Sequence, residues 1–120
     1  MAKVEGLSKL SAVIQARIRA AKKAAAQSAV VGYTAEYAAH VHENLEAYHP
    51  IGSAKFLEQP AREMQDVFAK IIRDATARGV PAPRALLLAG LRLQRESMLL
   101  CPIQTGTLRA SAFTRLEKAP

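Results

Sequence analysis

Ala29-Val30-Val31-Gly32-Tyr33, followed by Thr34 and by Glu36-Tyr37-Ala38-Ala39-His40-Val41-His42-Glu43, decides how this chain is read. The first run is rich in valine and too short for a helix. It predicts a strand over 29–33, with Gly32 marking a bulge or the close approach of another backbone. Thr34 is able to cap, and Tyr37, Ala38 and Val41 share a helical face, which predicts a short helix over 35–43. Residues 44–55 show no periodicity and are punctuated by Pro50 and Gly52, so they form a loop. Loops of that length in a small domain usually carry function.

On the N-terminal side, Leu7, Leu10, Ile14, Ile18, Ala21 and Ala25 fall three or four apart, with Lys9, Arg17, Lys22 and Lys23 off that stripe. This pattern predicts a helix over 7–26. On the C-terminal side, Leu57, Ala61, Met64, Phe68, Ile71 and Ala75 make a second stripe, with Pro60 in the first turn and Gly79-Val80-Pro81 as the stop. The prediction is a helix over 57–78. A third helix over 83–100 is apolar on most sides and should be the most buried element. Gly90 in its middle costs about 1 kcal/mol against alanine, which the close approach of the first or second helix would offset. Thr105, Gly106 and Arg109 form a turn that starts a last strand over 111–117.

The expected fold class is α+β: three long helices packed on a small, mainly antiparallel sheet with a long central loop, in one domain over 1–120. Two strands alone are marginal. Their edges invite a third strand from the loop or from a neighbouring subunit.

Composition narrows the function. The 120 residues hold no Trp and many Ala, so the core rests on Leu, Ile and Val, and a partner subunit would add stability. No run reaches the roughly 18 apolar residues of a membrane span. The N-terminus lacks an apolar signal region, and the single Cys101 forms no internal disulfide. A product of the cytosol, or one assembled there, is expected. The net charge of +7 is uneven: +5 over 1–30, −3 over 31–63 and +5 over 64–120. Such alternation suits an acidic surface that meets a basic one, as on a second copy of the chain.

Catalytic signals are weak. His40, His42, Glu43 and His49 could approach a metal, but no Cys is near and the His-Glu-x-x-His order is absent. Imidazoles at a surface or interface account for them better. Cys101 and Ser97 have no histidine nearby in sequence, and the glycines are isolated, so neither a nucleophile nor a phosphate loop is indicated. Arg17, Arg19, Lys22 and Lys23 could contact phosphate, which gives an alternative reading as a small basic DNA-binding protein using the first helix. No aromatic residues interleave them, and a solvated face or one side of a subunit contact is favoured.

Two segments carry a resemblance. One is Val31-Gly32-Tyr33, then Tyr37 to Glu43, then Phe56-Leu57-Glu58-Gln59-Pro60. The other is Leu91 to Ser97 running into Cys101-Pro102-Ile103-Gln104-Thr105-Gly106-Thr107-Leu108-Arg109-Ala110-Ser111. Together they resemble the tail-completion or neck family of long-tailed bacteriophages, often labelled minor capsid or putative tail-component proteins. The second segment here follows the first, the reverse of the order usual in that family. The resemblance implies an α+β subunit without catalysis or cofactor. It implies a ring, hexameric or matched to a twelve-fold portal, joining the portal or adaptor side to the tail tube or terminator. The place is the virion neck, assembled in the host cytoplasm. DNA could touch the lumen, and no membrane is involved. On this reading Tyr37, His40, His42, Glu43, Tyr48, His49 and Phe56 are subunit contacts, and Arg109 pairs with Glu43 or with a DNA phosphate.

Overall fold

A computed structural model describes residues 2–10, 13–20, 27–35, 38, 55–101 and 107–118. Four strands form one antiparallel sheet in the order β1 (Ala2–Leu10), β2 (Val13–Ala20), β3 (Gln27–Tyr33) and β4 (Ala112–Lys118). Four helices are described: α1 (Glu58–Glu63), α2 (Gln65–Ala77), α3 (Ala82–Leu100) and α4 (Thr107–Ala110). The chain is thus a small α+β domain with helices against an antiparallel sheet.

The first helix of the sequence reading is not there. Its described part is two strands, with Ala2 opposite Ala20 and Leu10 opposite Val13. Two irregularities explain the helix-like spacing. Gly6 and Leu7 form a bulge between the Glu5–Arg17 and Ser8–Gln15 pairs, and the β1–β2 connection spans only two residues. Each shifts the two-residue alternation, so apolar residues fall three and four apart without a helix. Within β2 the strand period is plain: Ala16 and Ile18 are buried, whereas Gln15 and Arg17 are half-buried and Arg19 is exposed. The hairpin supplies a third and a fourth strand from the N-terminal segment, whereas the sequence leads one to expect a third strand alone, from the loop or from a neighbouring subunit.

β3 is central, and its register sorts the two sheet faces. Ala16, Val31 and Thr114 stand in one row, and Ile18, Ala29 and Leu116 in the next. These rows lie under α3. The opposite face carries the rows Arg17–Val30–Arg115 and Arg19–Ser28–Glu117. Val30 is 1% exposed yet stands outside the main core cluster, as its outward register requires.

α3 packs on β3 and β4 through Leu86, Ala89, Gly90, Leu93 and Ser97, all buried. Gly90 sits where backbone and sheet nearly touch: a Cβ there would lie 2.8 Å from Thr114 Cγ2 and 3.1 Å from Ala29 Cβ. The close approach is therefore that of the sheet, not that of another helix. α1 and α2 lie beside α3 and pack against it and against β1.

The helix expected over 57–78 is interrupted once. Met64 leaves helical geometry (φ −99°, ψ 17°), but its N–H donates to the Pro60 carbonyl and its own carbonyl accepts from Phe68. α1 and α2 therefore run end to end. α2 stops at Gly79, whose φ of +90° and paired bonds, Gly79 N–H to Thr76 and Val80 N–H to Ala75, make a left-handed helix terminus. The strands expected over 29–33 and 111–117 and the helix expected over 83–100 are observed as β3, β4 and α3, each within two residues at its ends. Most of the short helix over 35–43 and of the loop over 44–55 lies outside the described residues.

Candidate subunit-contact surface

Tyr33 ends β3 and is fully buried. Its hydroxyl lies 2.7 Å from Ser97 Oγ on α3, and its ring meets Phe56 edge-on with centroids 5.0 Å apart. Burial pushes its phenol far above the usual range, the Ser97 hydrogen bond pulling the other way. One residue on, the Thr34 N–H donates to the Ser111 carbonyl at 3.2 Å. Both the Ser111 N–H and its hydroxyl donate to the carbonyl of buried Leu108. The two segments that carried the resemblance thus converge on one corner of the domain.

Phe56, expected as a subunit contact, is a core residue: it is fully buried against Tyr33. An aromatic ring fills a core vacancy as readily as it fills an interface. Arg109, expected in a turn that starts the last strand, stands in α4 instead. Its guanidinium donates to the Cys101 carbonyl at 3.3 Å, so it closes the C-terminal end of α3, where a cation is favoured. Cys101 is buried beside it, and burial pushes its thiol up to about 11, against the pull of Arg109. Tyr37, His40, His42, Glu43, Tyr48, His49, Thr105 and Gly106 lie outside the described residues, as do Lys22 and Lys23.

Arg17 and Arg19 lie on β2 rather than on a helix, so among the described residues they do not form the basic helix that the DNA-binding reading needs. Arg17 reaches across β3 to Glu117, Nη2 to Oε1 3.0 Å, and Arg115 closes on the other carboxylate oxygen at 2.8 Å. The Arg115 hydrogen bond first, and the Arg17 charge after it, hold the Glu117 carboxyl below its usual range. The Arg115 guanidinium also rests over the Phe113 ring, 4.8 Å from its centroid. This trio straddles the outward face of β3 above Val30, and sequence reading missed it because Arg17 stands 100 residues from Glu117. The one available signal was the alternation of Arg17 and Arg19 with Ala16 and Ile18.

Among the described residues, no group of three or more His, Cys, Asp or Glu could hold a metal, and no helix is long and apolar enough to cross a membrane. The described site consists of packing groups, ion pairs and strand edges. The fold and this surface define an α+β domain of sheet and helices. No protein-family model, no curated protein and no solved structure matches the chain.

Proposed function

We propose that this chain is a structural virion protein of the phage head–tail connector. It forms an oligomeric ring between the portal or adaptor side and the tail tube, in a tail-completion, stopper or terminator role. The supporting observation is the corner at Tyr33. Val31-Gly32-Tyr33, Phe56 and the Leu91–Ser111 stretch are far apart in sequence, yet hydrogen bonds and ring packing join them there. Motif residues that fasten a fold to itself are those a family of assembly subunits would share without sharing a catalytic group. The sheet fits the role as well. β1 and β4 are its two end strands among the described residues, each with one backbone edge that a neighbour's strand could extend.

The direct test is to co-express the chain with portal-side and tail-side proteins of a long-tailed phage and examine the particles by electron microscopy. A discrete ring seated at the neck is expected. A chain that binds neither side and forms no ring overturns the proposal.

A further inference from the structure

We infer that copies of this chain join edge to edge, β4 of one copy pairing antiparallel with β1 of the next so that Glu117 falls opposite Lys3 and Arg115 opposite Glu5. The inference rests on the ring reading and names the contact that would make the ring.

Topology sets the direction. Each strand is antiparallel to the one beside it in the order β1-β2-β3-β4, so among the described residues the two end strands run in opposite directions. A neighbour in the same orientation therefore presents its β1 antiparallel to β4, with its helices on the same side of the sheet. The contact joins unlike edges and repeats head to tail, the arrangement that closes rings. β4 has the burial of an open edge: no residue from Ala112 to Lys118 is fully buried, whereas β3 is buried from Ser28 to Tyr33.

Charge sets the register. On the sheet face away from α3, one row runs Lys3–Arg19–Ser28–Glu117 and the next Glu5–Arg17–Val30–Arg115. Opposed residues share a face, so the neighbour's strand can slip only by steps of two residues. With Lys3 opposite Glu117 and Glu5 opposite Arg115, both pairs are of opposite charge, and Val4 falls opposite Leu116 between them. A slip one way sets Lys3 against Arg115, and a slip the other way sets Glu5 against Glu117. Like charges directly opposite are unfavourable. The favoured register also continues both rows from copy to copy without a step along the strand, which suits a closed ring rather than a rising helix. The bulge after Glu5 limits the pairing to Ala2–Glu5 against Arg115–Lys118. Glu117 already binds Arg17 and Arg115 in its own copy, so the neighbour's Lys3 and Glu5 extend an ordered ion-pair cluster.

Pairing of like edges is the competing arrangement. β4 against β4 also has a register that sets Arg115 opposite Glu117, but it leaves both β1 edges open, and an open edge is itself a template for association. It also brings no acid to Lys3, which stands opposite the cation Arg19 in its own sheet. Pairing β4 with β1 closes every edge with a single kind of contact and brings Glu117 to Lys3.

The test places cysteines at the two ends of one row in the full chain. Residues opposite one another across an antiparallel pair lie within disulfide reach. Lys3→Cys and Glu117→Cys chains, mixed and oxidised, should form a cross-linked dimer at least about tenfold faster than either variant alone, because the contact holds the two thiols together. The native Cys101 is buried and does not compete. A charge swap supplies the second measurement, with circular dichroism confirming that each variant folds. Lys3→Glu should weaken association at least about tenfold, and adding Glu117→Lys to the same chain should restore it. A β4–β4 contact would gain nothing from the swap. A mixture that cross-links no faster than its components, or a swap that restores nothing, overturns this contact and leaves the ring reading standing where wild type still sediments as a closed oligomer. A wild type that is monomeric alone and with portal-side and tail-side proteins removes both.

Discussion

The Tyr33 hydroxyl at the end of β3 and the Ser97 hydroxyl on α3 lie 2.7 Å apart, both fully buried. Each is the other's partner in an apolar corner, and the bond fixes the register of α3 against the sheet. Removing either hydroxyl strands the other, and a stranded buried polar group costs about 1–3 kcal/mol. Tyr33→Phe and Ser97→Ala should each destabilise the fold by that amount in urea denaturation. The double variant should lose clearly less than the two single losses added together. Additive losses would mean that the hydroxyls act independently.

Gly90 tests how tightly α3 lies on the sheet. Alanine there would gain about 1 kcal/mol of helix propensity. Its Cβ, however, would stand 2.8 Å from Thr114 Cγ2 and 3.1 Å from Ala29 Cβ, and overpacking costs about 1–3 kcal/mol. Gly90→Ala should therefore lower the thermal midpoint. Adding Thr114→Ser, which deletes the nearer methyl, should recover part of the loss. A rise in the midpoint with Gly90→Ala alone would refute the packing described.

Cys101 should resist alkylation in the folded protein and react fully once denaturant exposes it. Its thiol is raised from an ordinary 9.0 to about 11, so over that window the folded chain keeps a proton that the unfolded chain loses. Stability is fully present below 9.0 and declines as pH rises toward about 11. Buried Tyr33 acts in the same direction at higher pH. A midpoint that falls equally steeply in Cys101→Ala would remove Cys101 from the account.

Glu117 predicts the acid limb. Its carboxyl is held below the ordinary 4.5 by Arg115 and Arg17, so its contribution is present above that value and is lost as pH falls below it. Glu117→Gln should flatten the loss of stability as pH falls below the ordinary 4.5, and added salt should shrink the difference because the pair is partly exposed. An unchanged acid limb in the variant would show that the Arg17–Glu117–Arg115 trio contributes nothing.

Legibility in the sequence followed the range of the forces involved. Ala29 to Tyr33 read as a strand because valine and tyrosine favour the pleat locally, and α3 read as a helix because its leucines are dense and Pro81 and Pro102 bound it. Residues 7–20 misled. A bulge at Gly6 and Leu7 and a two-residue connection gave their apolar residues helical spacing. Pairing with β3 then outweighed alanine-rich propensity, as tertiary contacts do. Gly90 announced a close approach but not its partner, since Ala29 and Thr114 reach it only through the fold. Phe56 carried no mark to distinguish core from interface until Tyr33 stood against it. Within the Glu117 trio, the Arg115 pair is local to β4, but the Arg17 pair joins distant strands and depends on register alone.

The central claim is that this chain works as a ring subunit of a phage neck, and the mass of its assembly tests that most directly. Sedimentation of the purified chain, alone and mixed with portal-side and tail-side proteins, should give one closed oligomer of fixed stoichiometry that joins both partners. A chain that remains monomeric under all these conditions would contradict the account.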